Sequence, residues 1–348
     1  MKNYVLDMTD NQFKTTAKSI IDENYRLSQV VKWIYEKKSD SFENFTNLPE
    51  ELREKFSERF FLRALRIISK EKSKVDDTTR YIFKTLDKKY FFAVFLSANG
   101  RNSVCVSSQI GCPVMCAFCY SGKVKFTRNL SRGEIIEQVL QIENDTKKKI
   151  SGVLFMGMGE PMLNFTNVVF VLNSLLSNKE FGIGKRHITV SSVGIVPAIK
   201  KLADKNLGIR LALSLHTVDE KRRKRLISNN FSFKIEDILN AGRYYIEKTN
   251  SHLTIEYTLM KKINNSSADA HKLARLLKRH KLINSNVNVN LIPFNPLVCA
   301  KFQPPEHESI QKFKDILRFN KVVVNIRQAK GVDINAACGQ LGDIESIL

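Results

Sequence analysis

Long hydrophobic runs are missing from this 348-residue chain. None would span a bilayer, and the opening MKNYVLDMTDNQFK lacks the apolar stretch of a secretory signal. These absences lead to the expectation of a cytoplasmic protein without a membrane partner. Cysteine is scarce as well. Six residues at uneven spacing do not make the disulfide framework of a small secreted domain. Low-complexity linkers and repeats of solenoid length are absent. Acidic residues are outnumbered, 35 Asp and Glu against 56 Lys and Arg, which leaves a net charge of +21. Such an excess attracts polyanions, of which nucleic acid is the commonest.

What is present falls into two parts. Residues 1–96 read as an accessory unit. Arg26–Lys37 is apolar at helical spacing, Pro49 opens a second helix, and RYIFKTL and YFFAVFL flank Asp87-Lys88-Lys89 as a hairpin. From residue 97 to 348 short apolar strands alternate with amphipathic helices. Strands are read at SVCVSSQ, GVLFMG, HITVSS, GIRLALSLH, LTIEYTLM, VNVNLIPF and VVVNIR. The first helix starts at a capping box, Ser131 with Glu134. Later ones are expected at Asn164–Asn178, Ile195–Asn206, Ile235–Lys248, Ala268–His280 and Glu306–Asn320. The class is α/β: about six βα units build a partial barrel whose ligands bind at the strands' C-terminal ends.

Four of the six cysteines crowd into CVSSQIGCPVMCAFCYSG, Cys105 to Gly122. Cys112, Cys116 and Cys119, spaced C-x3-C-x2-C, follow the first barrel strand. Structural zinc wants four closed ligands, and no nearby Cys or His pair completes such a set. Three thiolates suit an iron–sulfur cluster with one iron open; the third reading is three metal-free buried thiols. In GVLFMGMGEP, Gly157 and Gly159 allow close backbone approach and leave Glu160 available to a cationic group, or simply to cap a turn. Ser191, Ser214-Leu215-His216 and Asn295 end neighbouring strands, where a ligand would gather them.

CPVMCAFC resembles the cluster loop of radical S-adenosylmethionine (SAM) enzymes. VCVSSQIGC, FTRNLSRGEI, FMGMGEPMLN, ITVSSVGIVPAI, SLH, LIPFNP and DINAACGQL, together with the N-terminal YRLSQVVKWIYEK and FTNLPEELREKF, resemble the RlmN/Cfr family of adenine methyltransferases. The resemblance covers about Tyr25 to Leu341 and implies a radical SAM barrel. It also implies a [4Fe–4S] cluster on Cys112, Cys116 and Cys119, and SAM contacts at Gly159, Glu160, Ser191, Ser214, Leu215, His216 and Asn295. The implied substrates are 23S rRNA and tRNA, methylated at C2 of adenosine with two SAM per turnover. The implied partner is an electron donor such as flavodoxin or ferredoxin, and the expected state is a monomer.

By the same resemblance Cys338 carries the methyl group and Cys105 releases the product by attacking its sulfur, forming a transient disulfide. Cys299 matches no family cysteine and reads as inert. One position departs: relatives usually carry a glutamate, the proton acceptor at adenine, where this chain has Phe92. An apolar ring cannot accept a proton. For RNA contact the basic residues are Lys123, Lys125, Arg128 and Arg132, with Lys221 to Arg225 on the site face. Competing readings are a Cfr-type C8 methyltransferase and a non-catalytic RNA-binding protein with a structural Fe–S or zinc site.

Overall fold

The computed structural model describes residues 2–21, 23–98, 100–227, 231, 233–296 and 301–342; Cys299 lies outside them. Three helices open the chain: α1 (Asp10–Ala17), α2 (Asn24–Tyr35) and α3 (Glu50–Arg59). The sequence reading did not include α1. Thr9 starts it by accepting from the Gln12 amide, while the Gln12 side chain accepts from the Thr9 amide. Phe13, Phe42, Phe56 and Phe60 stack into the buried centre of this unit.

Four antiparallel strands follow: β1 (Leu65–Lys72), β2 (Thr78–Thr85), β3 (Tyr90–Ala98) and β4 (Arg101–Cys105). The expected hairpin is β2–β3, but it does not stand apart. Its strands extend the barrel's own sheet, and one continuous apolar core runs from the N-terminal helices into the barrel.

Beyond β4 every pairing in this sheet is parallel. The strands are β5 (Gly152–Phe155), β6 (Ile188–Ser192), β7 (Arg210–Ser214), β8 (Leu253–Leu259), β9 (Val287–Pro293) and β10 (Val324–Ile326). Between them run α4 (Arg132–Thr146), α5 (Phe165–Leu176), α6 (Val196–Asp204), α7 (Glu220–Leu226), α8 (Ile235–Thr249), α9 (Ser267–Arg279) and α10 (His307–Phe319). All seven expected strands form, and the ten-stranded sheet keeps them in chain order. This is the six-unit partial barrel. Ser131 caps α4 as its sequence required, with Glu134 returning the bond.

Strand alternation separates two environments. Along β8, Leu253, Ile255, Tyr257 and Leu259 alternate with Thr254, Glu256 and Thr258, and both sets are buried. A strand buried on both faces ordinarily reads as a continuous apolar run, and here Glu256 and Thr258 break that run by lining a cavity. The polar set therefore marks the barrel's interior.

Candidate active site

The cysteine loop is pinched at its base by a two-residue ribbon, Gln109–Ile110 against Arg128–Asn129. Within it the Cys119 amide donates to the Cys116 carbonyl at 3.1 Å. Gly122 lets the returning chain pass, since a Cβ there would lie 2.8 Å from the Cys116 nitrogen. The three thiols pack beside Val114, Phe118, Leu226 and Phe294. Burial in that apolar setting pushes Cys112 up to about 12 and raises Cys116 and Cys119 too. Such thiols are weak acids that keep their protons until a metal compensates the thiolate charge.

Zinc would draw its thiolates to within about 4.6 Å of one another, twice a Zn–S bond. Among the described residues no group of three or more His, Cys, Asp or Glu is gathered to hold one ion. Three cysteines on one loop, lining one cavity, fit an iron–sulfur cluster with one iron left open to a bound molecule.

Gly159, Glu160, Ser191, Ser214, His216 and Asn295 line one cavity with the three cysteines, about 940 Å³ counting its open mouth. Leu215 does not line it. Its side chain is in the core, and its backbone holds the strand end. Gly159 has φ +101°, and a Cβ would collide with the Gln109 side chain at 2.6 Å. Glu160 accepts from the Met162 and Val193 amides at 3.0 and 2.8 Å, yet burial still lifts its carboxyl to about 7. The Ser191 and Ser214 hydroxyls lie 3.4 Å apart. His216 accepts at Nδ1 from the Thr258 amide, 3.0 Å, and its ring stands edge-on to Phe118.

Cys338 belongs to the same wall, and to a second. An adjoining cavity is lined by Cys105, Cys338, Val94, Leu96, Arg327 and Lys330 among others. The exposed Cys338 is held by its neighbours. Asn295 Nδ2 donates to the Cys338 carbonyl at 3.0 Å, the Tyr120 amide to the Gly339 carbonyl at 2.7 Å, and Ser121 Oγ to the Leu341 carbonyl at 2.7 Å. The other end of this segment is tied to the β1–β2 turn: Asp333 accepts from Ser73 Oγ and the Lys74 amide, and the Gly331 amide donates to Asp76.

Comparison with known proteins agrees with this geometry. The profile of the radical SAM superfamily matches residues 106–274, and that of the ribosomal RNA large subunit methyltransferase N-terminal domain matches residues 4–62. A probable dual-specificity RNA methyltransferase RlmN of Endomicrobium trichonymphae is 70% identical over 98% of this chain and 97% of its own length. Its namesake from Thermosipho melanesiensis is 42% identical over 98% of each. The chain belongs to the RlmN family. The crystal structure of a radical SAM methyltransferase from Sphaerobacter thermophilus, 33% identical, superposes with a TM-score of 0.91 over 97% of this chain and 99% of that one. Membership of the radical SAM superfamily implies SAM and a [4Fe–4S] cluster.

Against that family background two expectations change. The basic run 221–225 is not a free phosphate-binding strip but the short helix α7. Arg223 is fully buried, donating to the carbonyls of Leu215 at 2.6 Å and Val193 at 2.5 Å, so it braces two strand ends. Arg222 pairs with Asp269 at 2.9 Å, which leaves Lys221, Lys224 and Arg225 exposed. On the cluster loop, Arg128 is clamped between Asp87 and Glu134, and Arg132 lies over the Phe170 ring. Lys123 and Lys125 are its exposed cations.

Phe92 is fully buried on β3, with the Arg80 guanidinium 5.5 Å from its ring centre. Arg80 Nε has no partner, and its Nη2 pairs with Glu71 at 2.7 Å. Two site residues escaped the sequence reading. Arg327, just beyond β10, lines both cavities and stands 3.9 Å from Glu256, which lines the first. The available signal was alternation: Glu256 and Arg327 fall on the interior phase of VIL-rich strands.

Proposed function

We propose that this enzyme methylates C2 of adenosine in 23S rRNA and tRNA, using two SAM per turnover and an S-methylcysteine carrier. The observation that carries this reading is the position of Cys338 on the wall shared by two cavities. One cavity holds the cluster cysteines; the other holds Cys105. A methyl carrier must meet its donor on one side and its acceptor on the other.

In this scheme Cys112, Cys116 and Cys119 hold the cluster, and Glu160 receives the SAM ammonium. When bound, the cluster would supply the electron for reductive cleavage of SAM to an adenosyl radical. The Cys338 thiolate would take a methyl group from a first SAM, releasing S-adenosylhomocysteine. A hydrogen atom would then pass from that methyl to the adenosyl radical of a second SAM, and the methylene carbon would add to C2 of the electron-poor base. The adduct would give back the electron spent on SAM cleavage and lose its C2 proton. Cys105 then attacks the Cys338 sulfur, which releases the product and joins the two residues as a disulfide. Burial pushes the Cys105 thiol up to about 12, with Cys338 adding to that shift and the Arg327 charge opposing it. Exposed Lys123, Lys125, Lys221, Lys224 and Arg225 supply phosphate contacts. The enzyme would work as a cytoplasmic monomer with a flavodoxin or ferredoxin as its donor. Among the described residues no helix is long and apolar enough to cross a membrane.

The two cysteine variants test the scheme because they must fail differently. Cys338→Ala should bind RNA and never attach to it. Cys105→Ala should accumulate a protein–RNA adduct through Cys338, seen by mass spectrometry after nuclease trimming. Absence of any adduct in Cys105→Ala, with methylation lost in both, would sink it. The modified nucleoside itself separates C2 from C8 chemistry.

A further inference from the structure

Glu256 is a buried carboxylate that the scheme above leaves without a task. It is 4% exposed, sits in the middle of β8, and lines the cavity with the cluster cysteines. Its Oε1 accepts from Asn290 Nδ2 at 3.2 Å and faces Arg327 Nη1 at 3.9 Å. Its Oε2 is buried with no partner at all. A buried carboxylate oxygen without a donor costs free energy, so the folded protein holds an acceptor ready for something that enters the cavity.

The register says which part of a ligand arrives there. Ser214, Glu256 and Asn290 are neighbours across β7, β8 and β9 and share the interior face. Glu160 follows β5, on the cysteine side of the sheet order, and Ser191 with Ser214 comes next along it. A SAM molecule whose amino acid end lies at Glu160 and the cysteines extends its sugar along those strand ends. The ribose presents vicinal hydroxyls, two donors a short distance apart, where the cavity wall offers Ser214 Oγ and the free Glu256 oxygen. An ammonium is already matched by Glu160, and an adenine edge carries fewer donors than acceptors. We infer that Glu256 is a SAM-binding residue whose Oε2 accepts a hydrogen bond from a ribose hydroxyl, oriented by Asn290 and Arg327. This rests on the reading of the cavity as the SAM site.

The test is binding of S-adenosylhomocysteine and its 2′-deoxy and 3′-deoxy analogues to reconstituted enzyme with oxidised cluster, by anaerobic equilibrium dialysis. Wild type should bind one deoxy analogue roughly ten- to a hundredfold more weakly than the parent, the scale of a hydrogen bond to a charged group. Glu256→Ala should weaken the parent by a similar factor and that analogue no further. Glu256→Gln, which keeps an acceptor, should recover part of the loss. If wild type binds both analogues as tightly as the parent, or if the two penalties add, the inference is overturned; the first comparison needs no variant. A wild-type enzyme that binds the parent not at all would overturn the SAM-site reading itself.

Discussion

Glu137 and Glu256 are carboxylates buried in the same fold, and their surroundings treat them oppositely. Glu137, on α4, accepts from the Tyr4 hydroxyl, the Ala64 amide at 2.8 Å, the Leu65 amide at 3.2 Å and the Gln141 side chain. It is the bolt between the N-terminal unit and the barrel, with donors on both oxygens. Glu256 has one oxygen supplied and one bare. Charge and burial are common to both, so neither property marks a site. The distinction lies in who completes the hydrogen bonding: the protein at the joint, a ligand at the cavity. The three loop cysteines are the extreme of the second kind: a few amides and the nearby Arg223 favour their thiolates, yet burial still holds all three pKa values up.

The largest effect should follow from emptying that extreme case. Cys112→Ala, Cys116→Ala or Cys119→Ala should each reduce iron from about four per chain in anaerobically reconstituted protein to near none. The apo fold should stay intact by circular dichroism, because these thiols pack only against a small satellite cluster apart from the main core. Stoichiometric zinc without iron in the wild type would break the cluster reading.

Next, the two glutamates should respond in crossed fashion. Glu137→Ala strands two amides and a hydroxyl at the joint and should cost about 3–5 kcal/mol in urea unfolding. Glu256→Ala should cost less, about 1–2 kcal/mol, since it strands only the Asn290 amide and a distant Arg327 while relieving a carboxylate oxygen that has no donor. Similar losses at both sites would erase the comparison.

Phe92 tests whether the distinction can be reversed. Arg80 keeps a bare Nε beside that ring, a donor whose acceptor is missing. Introducing Phe92→Glu should give it one. In a double-mutant cycle with Arg80→Met, the introduced carboxylate and Arg80 should couple by about 1–3 kcal/mol. Zero coupling would show that Arg80 is satisfied by Glu71 alone.

Much of this was readable from residue patterns. Seven strands and their helices follow from periodicity, and Ser131 with Glu134 announces α4 because capping is local chemistry. That the cysteine loop and the strand-end residues other than Leu215 would face one cavity was legible because strand C-termini converge in any such barrel. Most of what escaped depends on partners far along the chain. Arg223 looks like one of five solvated cations, and only the fold shows that the carbonyls of Leu215 and Val193 take it inward. Arg80, Glu256 and Arg327 stand in strands that read as apolar runs, and their meaning appears only when neighbouring strands fix the interior face. The joining of the hairpin to the barrel sheet depends on β3 pairing with β4, a short-range contact that no composition shift reveals.

The smallest effect sharpens the comparison at a residue that belongs to both regions. His216 is bound to the scaffold through Nδ1, which accepts from the Thr258 amide, while its ring lines the cavity. Accepting there requires a neutral ring. Burial, with Arg223 nearby, lowers its pKa to about 3. The unfolded chain binds the proton near pH 6.5 and the folded protein does not. Stability should therefore fall as pH drops below about 6.5, by up to about 1.4 kcal/mol per pH unit, until the folded-state value is reached. The backbone here has φ +58°, which asparagine tolerates, so His216→Asn is the suitable control. Urea unfolding of both apoproteins from pH 7 to pH 5 should show the wild type losing stability more steeply than the variant. Parallel slopes would mean that the ring takes its proton inside the folded protein. The Thr258 amide would then have lost its acceptor, and His216 would count with the unsatisfied groups of the cavity rather than with the scaffold.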